Sequence, residues 1–328
     1  MTTVHVTRRR WLTWFAGLSV PGGLLAQSLP PLLRMLCGYP PGGVLDIVSR
    51  KLAEHLGGKL AVQAIVDNRP GAAGRLAVEE LKRSAGDGLT LLLTPASVMT
   101  MYPHVYRRLG YDVFADVKPV STVASFAFAL SVGPAVPPSV RGMGDFARWC
   151  RAEPERATCA NPGAGSMPHF MAVLLARETG IEMRHIPYRG GPAAMLAIAA
   201  GDVAAAMTTE SLARTQHEAG RIRVLATSGR TRSPLFPGAA TFGELGWPAL
   251  TQQEWYGAFV SAATADAIVR RTADALHAAL ESEDVRQAWD RVGLAIESST
   301  PEQLGASLRR EFEFWGPVIK SSGFTPES

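Results

Sequence analysis

Three cysteines in 328 residues are too few to staple a fold, and their odd number leaves at least one thiol unpaired within the chain. No CxxC, zinc-finger spacing or HExxH occurs, so no metal site is expected. Cys150 closes a helical pattern and Cys159 lies in the strand that follows. An oxidising compartment would allow them to bridge, with two buried free thiols as the alternative. A GxxxxGK[ST] phosphate loop and a GxSxG elbow are also missing, which removes the common signatures of nucleotide hydrolysis and of serine esterases. Internal repeats and low-complexity tracts are absent too, which excludes a solenoid and gives no compositional sign of disorder.

An excess of charge is lacking as well. The formal net charge is +4, but Arg8, Arg9 and Arg10 stand in a leader with no acidic residue; without them 30 basic residues face 29 acidic ones. A chain so nearly neutral has no electrostatic reason to seek nucleic acid or a membrane surface. The only long apolar run belongs to that leader, where Thr7-Arg8-Arg9-Arg10-Trp11-Leu12 precedes the stretch from Trp14 to Leu25 and the small Ala26 ends it. Paired arginines before a short apolar segment resemble a twin-arginine export signal, so residues 1–26 are expected to direct export to a periplasm and to be removed. Pro21-Gly22-Gly23 interrupts the run, which argues against an uncleaved anchor, and no later segment is apolar enough for stable membrane insertion.

What the chain does have is apolar material, 47% of residues against 19% charged, enough for a large core and for two domains. From Leu32 onward LLRMLCGY, a helix from about Leu45, AIVDNRP, a helix from about Gly74 and LTLLLTP follow in the β-α-β-α-β order of a mostly parallel sheet. In the first helix Leu45, Val48, Leu52 and Leu56 recur at helical spacing, which marks the face turned to the sheet. The connection from Tyr111 to Pro138 reads as an extended crossing. The alternation then resumes with a helix from about Ser139, ATCAN, a helix from Ser166, MRHIPY, a helix from Pro192, DVAAAM, a helix from about Glu210 and RIRVLATSG. Glu254-Trp255-Tyr256 leads back to C-terminal helices, the last opened by the capping signal Thr300-Pro301-Glu302-Gln303.

Two stretches, Gly38 to Gly58 and Cys159 to Ala176, share one layout in which a strand runs through a glycine-bearing loop into a helix. Open α/β sheets place ligands at the carboxyl ends of their strands, and helix-start amides with the positive end of the dipole can hold a carboxylate without an arginine. Either loop alone is also an ordinary chain reversal; the pairing of the two favours a site. Asp46 is first of all a helix cap, and facing a cleft it would repel a second carboxylate or hold an amine. Ser166 is the expected cap of the second helix. His169 either touches a ligand or bonds a neighbouring loop, Tyr39 and Tyr188 are aromatic walls or core, His185 is a packed or edge residue, and Trp255-Tyr256 brace the crossing in preference to lining the cleft. An enzyme is not expected. Ser166 and His169, three apart, lack an orienting acid, and Pro168 spoils the dinucleotide fingerprint begun by Gly163-Ala164-Gly165.

The order YPPGG-x-x-DIVSR, VDNRPGAAG, DGLTLLL, YPHVYRRLGYD, NPGAGSMPH, HIPYRGG, LATSGRTRSP and EWYGAFV resembles the substrate-binding receptors of tripartite tricarboxylate transporters, the Bug family of extracytoplasmic solute receptors. The likeness covers nearly the whole chain beyond the leader. It implies an α/β, type II periplasmic-binding-protein fold with a ligand cleft between two lobes, residues 27–125 with 236–328 forming one and 126–235 the other. It also implies a monomer without a cofactor that captures a small carboxylate and delivers it to membrane transporter subunits. A receptor that presents its ligand to a membrane sensor kinase would share these features. Carried over by motif, the first-lobe contacts are Tyr39, Pro40, Gly42, Gly43, Asp46 and Ser97, and the second-lobe contacts are Gly165, Ser166, His169, Tyr188 and Thr208. Three departures reduce polarity relative to the family pattern: Val44-Leu45 before the aspartate, Pro95, Ala96 and Met99 in the loop from Thr94 to Thr100, and Met207-Thr208-Thr209 after the strand. They point to a ligand with an apolar or aromatic body and one carboxylate, since an unpartnered buried polar group costs about 1–3 kcal/mol.

Overall fold

The computed structural model describes Thr2 and residues 31–324 apart from Val62; the leader read as an export signal lies outside the described residues. The first half is built from three parallel strands, β1 (Leu32–Cys37), β2 (Gln63–Asn68) and β3 (Thr90–Pro95). They are joined by α1 (Val44–Leu56) and α2 (Arg75–Lys82), since parallel strands need a crossover rather than a hairpin. Two short helices, α3 (Ala96–Thr100) and α4 (Tyr102–Val105), follow β3 before the chain enters β4 (Val117–Val132).

The second half repeats this grammar with α5 (Met143–Ala152), β5 (Thr158–Asn161), α6 (Met167–Thr179), β6 (Arg184–Pro187), α7 (Gly191–Ala200), β7 (Ala205–Thr209), α8 (Glu210–Glu218), β8 (Arg223–Thr227) and the short β9 (Ala240–Thr241). The chain returns through β10 (Gln253–Ser261). It then forms α9 (Asp266–Leu280), α10 (Glu283–Val292), β11 (Ala295–Ile296) and α11 (Pro301–Ser321), whose start carries the full Thr300/Gln303 capping box.

The strand order β2-β1-β3-β10-β4-β7-β5-β6 makes a single mixed sheet. β4 joins its parts: residues 117–127 pair antiparallel with β10, and residues 128–132 continue into pairing with β7, with β8 on the other edge. On one side Leu45, Val48, Leu52 and Leu56 of α1 pack with Leu33, Met35, Leu276 and Trp289. Trp289 is fully buried, and its indole N–H is satisfied by the Val123 carbonyl at 3.0 Å. In the second half Phe170 and Leu174 of α6 pack with Phe146, Cys159 and Met207.

Two features shift the expected division at residue 236. β9 pairs with β8, and Phe242 and Leu250 pack in the same core as Phe170, so the chain leaves the second half only at β10. α11 also belongs to both halves: Leu304 and Leu308 pack beside Leu92 and Phe259, whereas Trp315, Val318 and Ile319 join the core of α6. The three cysteines are free and buried, and burial pushes the thiols of Cys150 and Cys159 up to about 12. Of the two alternatives for that pair, the structure has the free thiols. Among the described residues no helix is long and apolar enough to cross a membrane.

Candidate functional site

The loop after β1 is fixed by one carboxylate. Asp46 is 2% exposed; its Oδ2 accepts from the Gly42 N–H at 2.8 Å and from Arg50 Nε at 2.9 Å, and its Oδ1 from Asn68 Nδ2 at 2.9 Å. Burial works to raise this carboxyl, but the bonds from Arg50, Gly42 and Asn68 together hold it below its ordinary range. The expectation that Asp46 meets the ligand gives way to a positioning role, because both oxygens are occupied in tying the loop to the end of β2. Pro40, Gly42 and Gly43 remain exposed, and α1 starts at Gly43 without a side-chain cap, which leaves its first-turn amides without an intrahelical partner.

The loop after β2 presses against this one. A Cβ on Gly38 would stand 2.7 Å from the Gly74 Cα, so only glycine permits the approach. The neighbouring Ala72 and Ala73 take φ values of 46° and 55°, a left-handed conformation that costs roughly 1–2 kcal/mol per residue. Such strain persists where surrounding bonds over-determine the backbone, and here the Tyr39 hydroxyl donates to the Ala73 carbonyl at 3.4 Å.

The second loop satisfies itself more completely. Ser166 caps α6 by accepting from the His169 N–H at 3.4 Å and donates to the Gly163 carbonyl at 2.7 Å. His169 Nδ1 accepts from the Gly165 N–H at 3.1 Å, which places the proton of the neutral ring on Nε2. Burial, and then the adjacent His185, pull its pKa down to about 4. Of the two readings of His169, the loop bond is the one seen. Thr208 is also displaced from its expected role: it is fully buried and donates to Met195 Sδ at 3.2 Å, because strand alternation turns it toward α7, and Thr209 occupies the strand end. Tyr188 is half-buried, packs against the core around Ala194 and Ile198, and donates its N–H to the Asn161 carbonyl at 2.9 Å.

α3 and α4 bring the two sets of loops together. Gly165 has φ +73°, and a Cβ there would lie 3.2 Å from Val105 Cγ1, so the second-half loop rests on α4. Tyr102, in the same short helix, interacts through its phenol with Tyr39 of the first loop, and its ring meets that of Tyr106 edge-on at 5.1 Å. Arg75 lies over the Tyr106 ring at 3.8 Å.

Sequence reasoning missed the acid among these rings. In the β10–β4 ladder Glu254 stands opposite Phe126, and Tyr256 opposite Ala124, so Glu254, Tyr256 and Phe126 share one face of the sheet. The Phe126 and Tyr256 rings lie 5.2 Å apart. Glu254 is 8% exposed, and its Oε1 accepts from Ser97 Oγ at 2.5 Å and from the Ser97 N–H at 3.2 Å. Burial pushes its carboxyl up, against the effect of those two bonds. The opposite face of β10 carries Trp255, whose indole N–H donates to Glu311. Trp255 therefore braces the crossing strand, while Tyr256 on the other face lies against Phe126. The signal available in EWYGAFV was the period of two, which puts 254 and 256 on one side. Beside β4 a cavity of about 380 Å³ opens between Phe126, Glu210, Arg230, Gln253, Asp290 and Leu294.

The family model of the tripartite tricarboxylate transporter family receptor, TctC, matches residues 48–324. The chain belongs to this receptor family. It is similar to the BugT protein of Bordetella pertussis, with 28% identity over 94% of each chain. Among solved structures it resembles R. palustris Rpa4515 with adipate, at a TM-score of 0.77 and 26% identity, over 90% of this chain and 98% of that one. MatC from Rhodopseudomonas palustris with bound malate shares the fold at a TM-score of 0.72 and 23% identity, over 88% of this chain and 98% of that one. The chain is thus a solute-binding receptor with a periplasmic-binding-protein fold, and not an enzyme.

Proposed function

We propose that this receptor captures a small carboxylate between its two halves in the periplasm and delivers it to a tripartite tricarboxylate-type membrane transporter. The observation that carries the reading is that the loop leading into the uncapped start of α1, through Tyr39, and the glycine loop before α6, through Gly165, both meet α4. First-turn amides and a helix dipole favour a carboxylate there by about 0.3–1 kcal/mol per charge at an exposed terminus, and by more when partly buried. The adipate in the related receptor supports the same class of ligand. The contacts are Tyr39, Pro40, Gly42 and Gly43 from the first half and Gly165, Ser166 and Tyr188 from the second, with Asp46, Ser97 and His169 holding their loops. β4 and β10 form the hinge about which the lobes close, and residues 1–26 are the export signal.

The test is a thermal-shift screen of mono- and dicarboxylates with the purified chain lacking residues 1–26. A true ligand at a hundredfold excess over its dissociation constant adds about 2.7 kcal/mol of stability and raises Tm accordingly. Deletion of the gene is expected to abolish uptake of that ligand. Loss of ligand-induced gene expression with uptake intact would instead identify a sensor-kinase partner, and a screen in which no carboxylate shifts Tm would sink the reading.

A further inference from the structure

We propose that Glu254 and the rings around it form an ammonium subsite, so that the preferred ligand is a zwitterion bearing an amine as well as its carboxylate; this rests on the carboxylate-receptor reading above. The geometry is a single acid with aromatic side chains around it from four segments, β10, β4, the loop after β1 and α4. Tyr256 and Phe126 flank Glu254 on the same sheet face, Ser97 fixes one of its oxygens, and the paired phenols of Tyr39 and Tyr102 stand close enough to feel its charge. Ring faces attract cations, more strongly where water is excluded. A ring next to the group already shows this chemistry, since Tyr106, edge-on to Tyr102, carries the Arg75 guanidinium over its face.

What the group lacks is a cation for the acid itself. Ser97 and burial are the influences acting on Glu254, and among the described residues no lysine or arginine forms an ion pair with it. Removing an ionised carboxylate from water without a partner costs several kcal/mol, a cost that a ligand ammonium would offset. A second ligand carboxylate placed there would instead meet like charge. The titratable groups whose influence reaches these rings are Cys37 and Tyr39 at the end of β1, Tyr102 and Tyr106 at α4, Tyr256 on β10 and Arg75 on α2, with Glu311 behind β10. None of these supplies a positive charge in contact with Glu254.

The experiment is isothermal titration of the chain lacking residues 1–26 with three matched series of three to six carbons: unbranched monocarboxylates, dicarboxylates, and amino acids with α- or ω-amino groups. The expected result is an amino acid that binds at least tenfold more tightly than the monoacid and the diacid of the same length. Glu254→Gln, checked for folding by near-UV circular dichroism, is expected to remove that preference, so that the amino acid binds no more tightly than the monoacid of the same length. Diacids that bind tightest to the native protein would overturn the inference, as would an amine preference that survives in a folded Glu254→Gln. The native ranking decides the matter if that variant does not fold. Carboxylates that bind with no amine preference would refute this subsite alone, whereas binding by none of the three series would remove the carboxylate-receptor reading and this inference with it.

Discussion

Glu311 is the side chain whose protonation should show most clearly in the stability of this receptor. It sits on α11 and accepts the Trp255 indole N–H through both oxygens, at 2.8 and 3.0 Å, next to a cavity of about 200 Å³ lined also by Arg230, Glu297 and Arg310. Burial lifts its pKa from the ordinary 4.5 to about 7 despite the indole bond and the Arg310 charge, with Glu254 and Glu297 adding to the rise. Between those two values the folded chain holds a proton that the unfolded chain has released, so this group makes stability fall as pH rises from about 4.5 through 7. At about 1.4 kcal/mol per pH unit the full effect is on the order of 3 kcal/mol, an upper bound because the residue keeps some contact with solvent.

His169 pulls the other way. Its folded-state pKa of about 4 lies below the ordinary 6.5, so its contribution is present above pH 6.5 and is lost as pH falls through 4. From about pH 4.5 to 6.5 the two slopes oppose each other and the native profile is expected to be nearly flat. Glu311→Gln removes one of them and keeps an oxygen for the indole. In urea titrations followed by tryptophan fluorescence, the stability of the variant relative to the native chain should increase by about 2–3 kcal/mol between pH 5 and pH 8. An offset that stays the same across that range would show that Glu311 ionises in the folded protein as it does in the unfolded one, and the reasoning would fail.

Three further outcomes follow from the loops and the cores. Asp46→Ala leaves Gly42 and Asn68 without their acceptor, and the loss of these charge-assisted bonds should destabilise the chain by about 2–3 kcal/mol in denaturant titrations while weakening carboxylate binding, since the Tyr39 loop is no longer held. Gly38→Ala forces two backbones apart, which is expected to cost roughly 1–3 kcal/mol and to reduce affinity more than a surface Gly→Ala change such as that at Gly238, where a Cβ meets nothing within 4 Å. Finally, Cys37, Cys150 and Cys159 should resist a soluble disulfide reagent in the native protein and all react after unfolding, because buried thiols with raised pKa values supply little thiolate. Only one thiol appearing on unfolding would reveal a bridge.

The alternation of apolar runs and amphipathic stretches made the fold legible, because most strands and helices are short enough for their burial pattern to be local. Leu45, Val48, Leu52 and Leu56 could be assigned to one helix face from spacing alone, and they pack as a unit against β1. The return crossing was harder to place. Residues 236–250 contain little periodic pattern, and what keeps them in the second half is the pairing of the two-residue β9 with β8 and the burial of Phe242 and Leu250. The path of α11 across both cores is also a tertiary fact, invisible in a sequence whose amphipathic stripe would suit either.

The candidate site divides in the same way. Helix starts announce themselves through glycine, proline and serine, so the loops at Gly38–Gly43 and Gly163–Ser166 could be singled out from residue type. Residue type could not tell which polar groups would remain free. Asp46 and His169 turn inward to bond their own loops, and Thr208 points to α7, since a side chain next to an orphan amide satisfies it more cheaply than a distant ligand can. Glu254 was hidden for the opposite reason. Its partner Ser97 is 157 residues away, and the rings of Tyr39, Tyr102 and Phe126 that give its charge a meaning come from three other places in the chain. The loss of polarity read from Val44, Pro95 and Met207 is therefore offset by an acid delivered from the crossing strand. An acid enclosed by aromatic rings selects a ligand of a different sign pattern from the one a purely apolar pocket would select.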